Sequence, residues 1–335
     1  MKILRIAAAA VLAASIAFTA FVGKNKITES GVSVLPAEYR GILTLWNIDS
    51  FEGGVGSRKQ FLLSVSRGFE KRNEGVLVMA IDHTAESAET AMAEGKFPDL
   101  ISYGAGVNVQ NLKPLETDKP SPAGAYNGET YAVPWCRGGY CIIENPYYAA
   151  NKKDPQPLIV SQGEFTNPLV AFALSGRTET DTEVLTPMNA YVKFTSGKVR
   201  YMLGTQRDVN RLIRRGMDFT SKPLSEYNDL YQYISVTSAD AVKAAYAQSF
   251  INYLLSDEIQ AKLSDIGMCS CYIEVKYEDP DMSALAAAKS EYTVSAFASK
   301  EFIGELQIKG KLAANGEESE ILNIKNCLLY LDKKI

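Results

Sequence analysis

The stretch ILTLWNIDSFEGGVGSRKQFLLSVSRGFEKRNEGVLVMAIDHTAESAETAMAEGKFPDLISYG, Ile42 to Gly104, decides the fold class. Ile42 to Trp46 is a short apolar run that enters a turn rich in Gly, Asp and Ser, Asn47 to Ser57. From Ser57 to about Lys71, the residues Phe61, Val65 and Phe69 recur at every fourth position with Leu62 beside them, while Arg58, Lys59 and Arg67 fall on other faces. That period draws one apolar stripe along a helix, and Ser57 has the hydroxyl an N-cap needs. Val76 to Ile81 reads as a second strand, Ala85 to Glu94 as a second helix and Leu100 to Tyr103 as a third strand. The order β-α-β-α-β predicts a mainly parallel sheet with helices on both faces. Such sheets bind ligands at the carboxyl ends of their strands, so the loops after Trp46 and after Tyr103 are the first candidate ligand loops.

Downstream the alternation continues. Asn127-Gly128 is a strong turn signal followed by the extended run Thr130 to Trp135, which together predict a hairpin. Asn145 to Asn167 is dense in turn formers. Val199 to Leu203 reads as a strand, with Gly204 to Arg207 at its end and a basic helix, Asp208 to Arg215, behind it. Ile234 to Val236 is another strand. Ser238 then caps a helix in which Val242, Tyr246, Phe250, Tyr253 and Leu254 share a face, and Ser256 opens a further helix to Ile266.

Length and composition bound the rest. A chain of 335 residues fits two lobes better than one core. With 46% hydrophobic and 22% charged residues it has the composition of a folded protein. Lys plus Arg is 35 against Asp plus Glu at 39, and that mild acidity leaves no electrostatic footprint for nucleic acid. His83 is the single histidine, which excludes any site built on two imidazoles. At the N-terminus, Lys2 and Arg5 precede the uncharged run Ile6 to Gly23. Residues 1–23 therefore form a signal peptide, with Ser15-Ile16-Ala17 as a small-x-small cleavage site, or an uncleaved anchor. Either one predicts an extracytoplasmic protein, secreted or membrane-anchored, with residues 24–38 as a tether.

The chemistry-bearing motifs are few. Five cysteines are an odd number: Cys136 and Cys141 in CRGGYC, Cys269 and Cys271 in CSC, and Cys327. Neither spacing is the usual CxxC of a zinc site. Free thiols, a disulfide involving Cys136, Cys141, Cys269 and Cys271, and a metal site all stay open. The loop Gly53-Gly54-Val55-Gly56-Ser57-Arg58-Lys59 fits neither the dinucleotide nor the P-loop template, because Lys59 stands where a third glycine belongs and no Gly-Lys-Ser/Thr ending follows. Asp49 and Glu52 share one loop, which suits hydroxyl coordination better than attack on a glycosidic bond from opposite faces. No serine or cysteine has an activating neighbourhood, so no catalytic residue, metal or cofactor is assigned.

Five separated segments resemble, in order, the extracytoplasmic solute-binding proteins of ABC importers, particularly those that carry sugars. They are LTLWNIDSFEGG (Leu43 to Gly54), GKFPDLISYG (Gly95 to Gly104), GETYAVPWCRGGYCIIEN (Gly128 to Asn145), FTSGKVRYMLGTQ (Phe194 to Gln206) and AVKAAYAQSFINYLLSDEIQAKLSDIGM (Ala241 to Met268). The last is the most specific, with its Phe-Ile-x-x-Leu-Leu-Ser-x-Glu-x-Gln pattern. The resemblance implies a two-lobed α/β periplasmic-binding-protein-like fold with a ligand cleft between lobes. Residues 39–136 and 235–275 would form lobe 1, and 137–234 and 276–335 lobe 2.

It also implies capture of a small solute, a carbohydrate by this likeness, and delivery to ABC permease membrane subunits by hinge closure. A transport-independent sensor or surface interaction protein is the alternative, and a glycoside-acting enzyme the weaker one. Sugar sites need flat apolar faces and planar polar groups. Candidate ligand residues are accordingly Trp46, Asp49 and Glu52 in the first loop, Tyr103 in the next, Trp135 and Arg137 at the lobe crossover, and Gln206 and Arg207 from lobe 2. Asp99 is expected to cap a neighbouring turn. Two departures from the family pattern stand out. The stretch from Asn145 to Tyr191 is short, which predicts a reduced lobe 2, and Met268-Cys269-Ser270-Cys271 replaces the family's proline and apolar residues near the lobe junction.

Overall fold

The computed structural model describes residues 39–149 and 157–330, so the leader and tether readings for residues 1–38 lie outside the described residues. The apolar run that opens this part becomes β1 (Gly41–Ile48). Helix α1 (Arg58–Arg72) follows, its N-cap Ser57 accepting from the Gln60 N–H and its Phe61, Leu62, Val65 and Phe69 stripe buried. Then come β2 (Val76–His83), α2 (Ala85–Ala93) and β3 (Leu100–Tyr103). β1 pairs in parallel with β2, Leu43 opposite Val78, and with β3, Leu45 opposite Leu100. Asn127 and Gly128 both take positive φ, at 50° and 83°, in the hairpin of β4 (Ala125–Tyr126) and β5 (Glu129–Thr130), as a primed turn requires.

β6 (Val133–Arg137) and β7 (Tyr140–Glu144) are separated only by Gly138-Gly139, yet they belong to different sheets. β7 opens the second sheet, which also holds β8 (Leu158–Ser161), β9 (Thr182–Leu185), β10 (Tyr201–Thr205) and β11 (Thr220–Leu224) in the order β11-β7-β10-β8-β9. β8 runs parallel to both β9 and β10. The chain then returns as β12 (Tyr231–Val236), which lies antiparallel between β3 and β6 and completes the order β2-β1-β3-β12-β6.

The helices of seven or more residues that follow α2 are α3 (Pro168–Leu174), α4 (Pro187–Thr195), α5 (Gln206–Arg214), α6 (Ala241–Leu254), α7 (Pro280–Ala287), α8 (Lys300–Ala314) and α9 (Glu318–Tyr330). Each sheet has its own apolar core. One gathers Ile48, Ile101, Tyr103 and Tyr233, and the other Ile143, Ile159, Phe194 and Met202. Two separate cores make two lobes.

The structure corrects several expectations. The stretch read as turns, Asn145 to Asn167, holds β8, and α3, β9 and the start of α4 follow it before Tyr191; the second sheet has five strands, as the first does. β8 and α3 carry no period because they are buried on all sides: all four residues of β8 and all seven of α3 are buried. Helix α6 is capped by Asp240, which accepts from the Val242 and Lys243 N–H groups, while Ser238 donates to Asp99. Asp99 ties β1 to the α6 entry through Thr44 and Lys243. The Ser256-initiated helix lasts from Asp257 to Gln260 and tightens into a 3₁₀ turn to Ile266. All five cysteines stand as free thiols. The CSC segment does meet the crossover, since Arg137 and Cys269 exchange backbone hydrogen bonds of 2.8 and 2.9 Å. Cys141, by contrast, lies in the core of the second lobe.

Candidate functional site

The loops at the carboxyl ends of parallel strands from both sheets converge on one cavity of about 710 Å³. The loop after β1 contributes Asp49 to Ser57, the loop after β8 contributes Gly163 to Thr166, Pro187 follows β9, and Thr205, Arg207 and Arg211 follow β10. The volume is that of a small-ligand pocket, for which roughly 300 to 1,000 Å³ is usual.

The first loop is held from beneath by Arg58, the first residue of α1, whose side chain is fully buried. Its Nε lies 2.9 Å from Asp49, its guanidinium sits 4.2 Å from the Phe51 ring centroid, and Nη2 donates to the Phe51 carbonyl. Asn47 Nδ2 donates to Asp49 Oδ1, the same oxygen that Arg58 Nε meets, 3.1 Å away. At the far end Val55 donates to the Ile266 carbonyl at 3.0 Å. Gly54 is pressed so closely there that an added Cβ would overlap the carbonyl oxygens of Ile266 and Gly267.

On the opposite wall, Thr205 and Asp208 form a capping box at the start of α5. Asp208 is wholly buried, and that burial pushes its carboxyl up while its hydrogen bonds from Thr205 and the nearby Arg207 pull it down. Arg207 reaches across the cleft to pair with Glu52, so one ion pair joins the first lobe's loop to the second lobe's helix. Its Nη1 lies 3.6 Å from Asp208 Oδ1 and has no hydrogen-bond partner. Burial lowers the Arg207 guanidinium from its ordinary value and Asp208 opposes the shift.

A second cavity of about 620 Å³ adjoins the first. Tyr126, Tyr131 and Phe297 supply three rings, and Asn108 and Glu89 polar groups. Phe165 is the partition. It lines the first cavity, packs where a Cβ on Gly106 would overlap it, and has the Lys300 ammonium 5.7 Å from its ring centroid. Lys300 in turn pairs with Glu164.

Of the residues nominated from sequence, Asp49, Glu52 and Arg207 line the first cavity. The other five do not line it: Trp46, Tyr103, Trp135 and Gln206 are turned into the protein, and Arg137, largely buried, lines a separate cavity of about 420 Å³. Trp46 is 8% exposed and packs 4.3 Å from the His83 ring. Tyr103 is buried with its hydroxyl 3.3 Å from Ser235. Trp135 has no exposed surface, stacks on Phe61 and donates to Ser102 at 3.1 Å. Arg137 donates to the carbonyls of Ser270, Leu285 and Ala286. Gln206 accepts from the Gly139 N–H at 3.0 Å. The two tryptophans therefore brace the first lobe, and Arg137 and Gln206 brace the crossover. Trp46, Tyr103, Trp135 and Arg137 lie in strand segments buried on both faces, whereas Asp49 and Glu52 lie beyond the end of β1 in the loop. Phe51, Phe165 and the hairpin tyrosines, which do face the cavities, were signalled only by their place in loops after buried runs.

No protein-family model matches the chain, and no curated protein matches it. Solved structures do. The GacH receptor of Streptomyces glaucescens, solved unliganded and with acarbose, is 16% identical with a TM-score of 0.58 over 89% of this chain and 100% of that one. The chain has the two-lobed periplasmic-binding-protein fold. Other examples of this binding-protein fold are the sugar-binding protein MalE from Xanthomonas citri, 14% identical with a TM-score of 0.58 over 86% of this chain and 96% of that one, and iron-bound HitA from Pseudomonas aeruginosa, 14% identical with a TM-score of 0.57 over 80% and 99%. At such identities the likeness concerns the fold, which the last pair shows to serve ligands as different as a sugar and iron. Among the described residues, no group of three or more His, Cys, Asp or Glu side chains is placed to hold a metal ion. No described helix is long and apolar enough to cross a membrane.

Proposed function

We propose that this protein is an extracytoplasmic solute-binding protein that captures a saccharide between its lobes and delivers it to the membrane permease of an ABC importer. The observation that carries the proposal is the cavity between the sheets, walled by Asp49, Glu52 and Arg207 and closed by an ion pair that links the lobes. Carboxylates and a guanidinium suit the in-plane hydrogen bonding of sugar hydroxyls, and Phe51 and Phe165 offer apolar faces. The adjoining cavity, with three more rings, gives a longer saccharide somewhere to continue. Several structural neighbours bind sugars, among them proteins solved with acarbose and with maltotetraose.

Binding is favoured over catalysis because Asp49 and Glu52 share a loop and each is engaged by an arginine, which leaves no pair of free carboxylates facing each other across a bond. Hinge closure would then set affinity through the balance of open and closed states. Isothermal titration and thermal unfolding against a panel of neutral and acidic mono- and oligosaccharides test this. Saturable binding by at least one of them is expected, and Arg207→Ala should weaken it. Absence of binding by the whole panel overturns the proposal, and turnover of a glycoside would replace it with the enzyme alternative.

A further inference from the structure

The wall of the first cavity is asymmetric in charge. Each of its carboxylates already has a cation: Asp49 has Arg58, Glu52 has Arg207 and Glu164 has Lys300. Arg211, also on the wall, lies over the Tyr191 ring and forms no ion pair among the described residues. In addition, three helices of nine residues or more, α1, α4 and α5, open onto the cavity at Ser57, Pro187 and Thr205. Each presents the positive end of its dipole. Arg207 itself is 4% exposed, and its Nη1 has no hydrogen-bond partner. Its one close partner across the cleft, Glu52, is 42% exposed on a glycine-rich loop and can be drawn off into water.

Resting on the assignment of this cavity as a saccharide site, we propose that the solute is an acidic sugar, a saccharide bearing a uronic carboxylate, and that this carboxylate takes the place of Glu52 on Arg207. Glu52 is the template. The chain's own carboxylate meets Nε of a guanidinium that is otherwise committed only to Asp208, so a ligand carboxylate enters without changing the charge count around Arg207. Release of Glu52 leaves Arg211 and the three helix ends to balance the added negative charge. A neutral sugar has nothing to exchange for Glu52 and must bind around the intact pair.

The test is titration calorimetry of the full chain with glucuronate-, galacturonate- and mannuronate-containing disaccharides, each set against its neutral parent, and with inorganic phosphate alone. At least one acidic member is expected to bind about tenfold or more tighter than its parent, as the loss of a charged hydrogen bond would predict. Glu52→Gln should tighten that member further by freeing Arg207. Arg207→Gln should erase the preference, with circular dichroism showing the variant folded. Because Arg207→Gln disturbs Asp208 and can weaken folding, Glu52→Gln, on an exposed loop, is the deciding variant. Equal or better binding of the neutral parents, or a Glu52→Gln variant that binds the acid more weakly, overturns the proposal and leaves the saccharide site standing. Phosphate binding as tight as the uronide overturns the carboxylate assignment. Failure of every acidic and neutral member removes the site assignment as well.

Discussion

Asp229 sits fully buried at the approach to β12, where its oxygens accept from the Tyr140 hydroxyl at 2.6 Å, Asn167 Nδ2 at 2.8 Å and the Tyr227 hydroxyl at 3.1 Å. All three donors are neutral. Burial therefore dominates and raises the carboxyl above its ordinary value, with the hydrogen bonds opposing the rise. A carboxyl whose folded value lies above its unfolded one binds more protons in the native state, so its contribution to stability is greatest below the unfolded value of about 3.9 and declines as pH rises through the folded value. Asn at this position does not titrate. Urea unfolding of wild type and Asp229→Asn from acid to neutral pH should show the penalty of the substitution largest at the acid end and shrinking as pH rises. A penalty that grows with pH would contradict the assignment. Trp135 gives a second expectation at this scale: Trp135→Ala should lower unfolding free energy by about 3 to 5 kcal/mol. Ligand affinity at temperatures where the variant is folded should hold, since the ring has no exposed surface and does not line the cavity.

Among the elements, the loop from Asp49 to Ser57 was legible as a loop at a strand's carboxyl end, where it lines the cavity, because it joins an apolar strand to an amphipathic helix capped by serine. Its internal support was not. Arg58 falls off the helix's apolar stripe, and only the fold reveals that its guanidinium is buried against Phe51 and Asp49. The same limit hid β8 and α3, whose uniform burial removes the polar-apolar contrast that marks an element in sequence. Trp46 and Trp135 sit in strand segments whose two faces are both covered, and which strands are covered on both faces depends on the packing of the whole lobe. Gly54 turns this loop into a testable unit. Gly54→Ala should displace the loop from the Ile266 and Gly267 carbonyls, with weaker saccharide binding by calorimetry and a lower thermal midpoint. Unchanged affinity in the variant would show that the loop's seat is irrelevant to the cleft.

For the whole molecule, the two lobes and their shared cleft were legible from motif order, whereas the equal strand count of the second sheet was not, because its elements lie in the least periodic part of the chain. The crossings are where motion would concentrate. Gly138-Gly139 is the shortest of them, and the Arg137 clamp on the Ser270, Leu285 and Ala286 carbonyls fixes it to the later passages of the chain. Ligand binding is expected to lower the radius of gyration measured by small-angle scattering, and a saturated complex with an unchanged value would count against closure.

The position of β12 bears on how the protein is made. Its strand fills the gap between β3 and β6, so the first sheet lacks a central member until residues 231–236 have left the ribosome, after the whole second sheet has been synthesised. The first lobe thus waits, open at two strand edges, and the second waits longer still, because Met282 and Leu285 of α7 belong to its core. A nascent chain stopped after residue 224 should be digestible in both lobes, and a protease-resistant second lobe at that length would contradict this order.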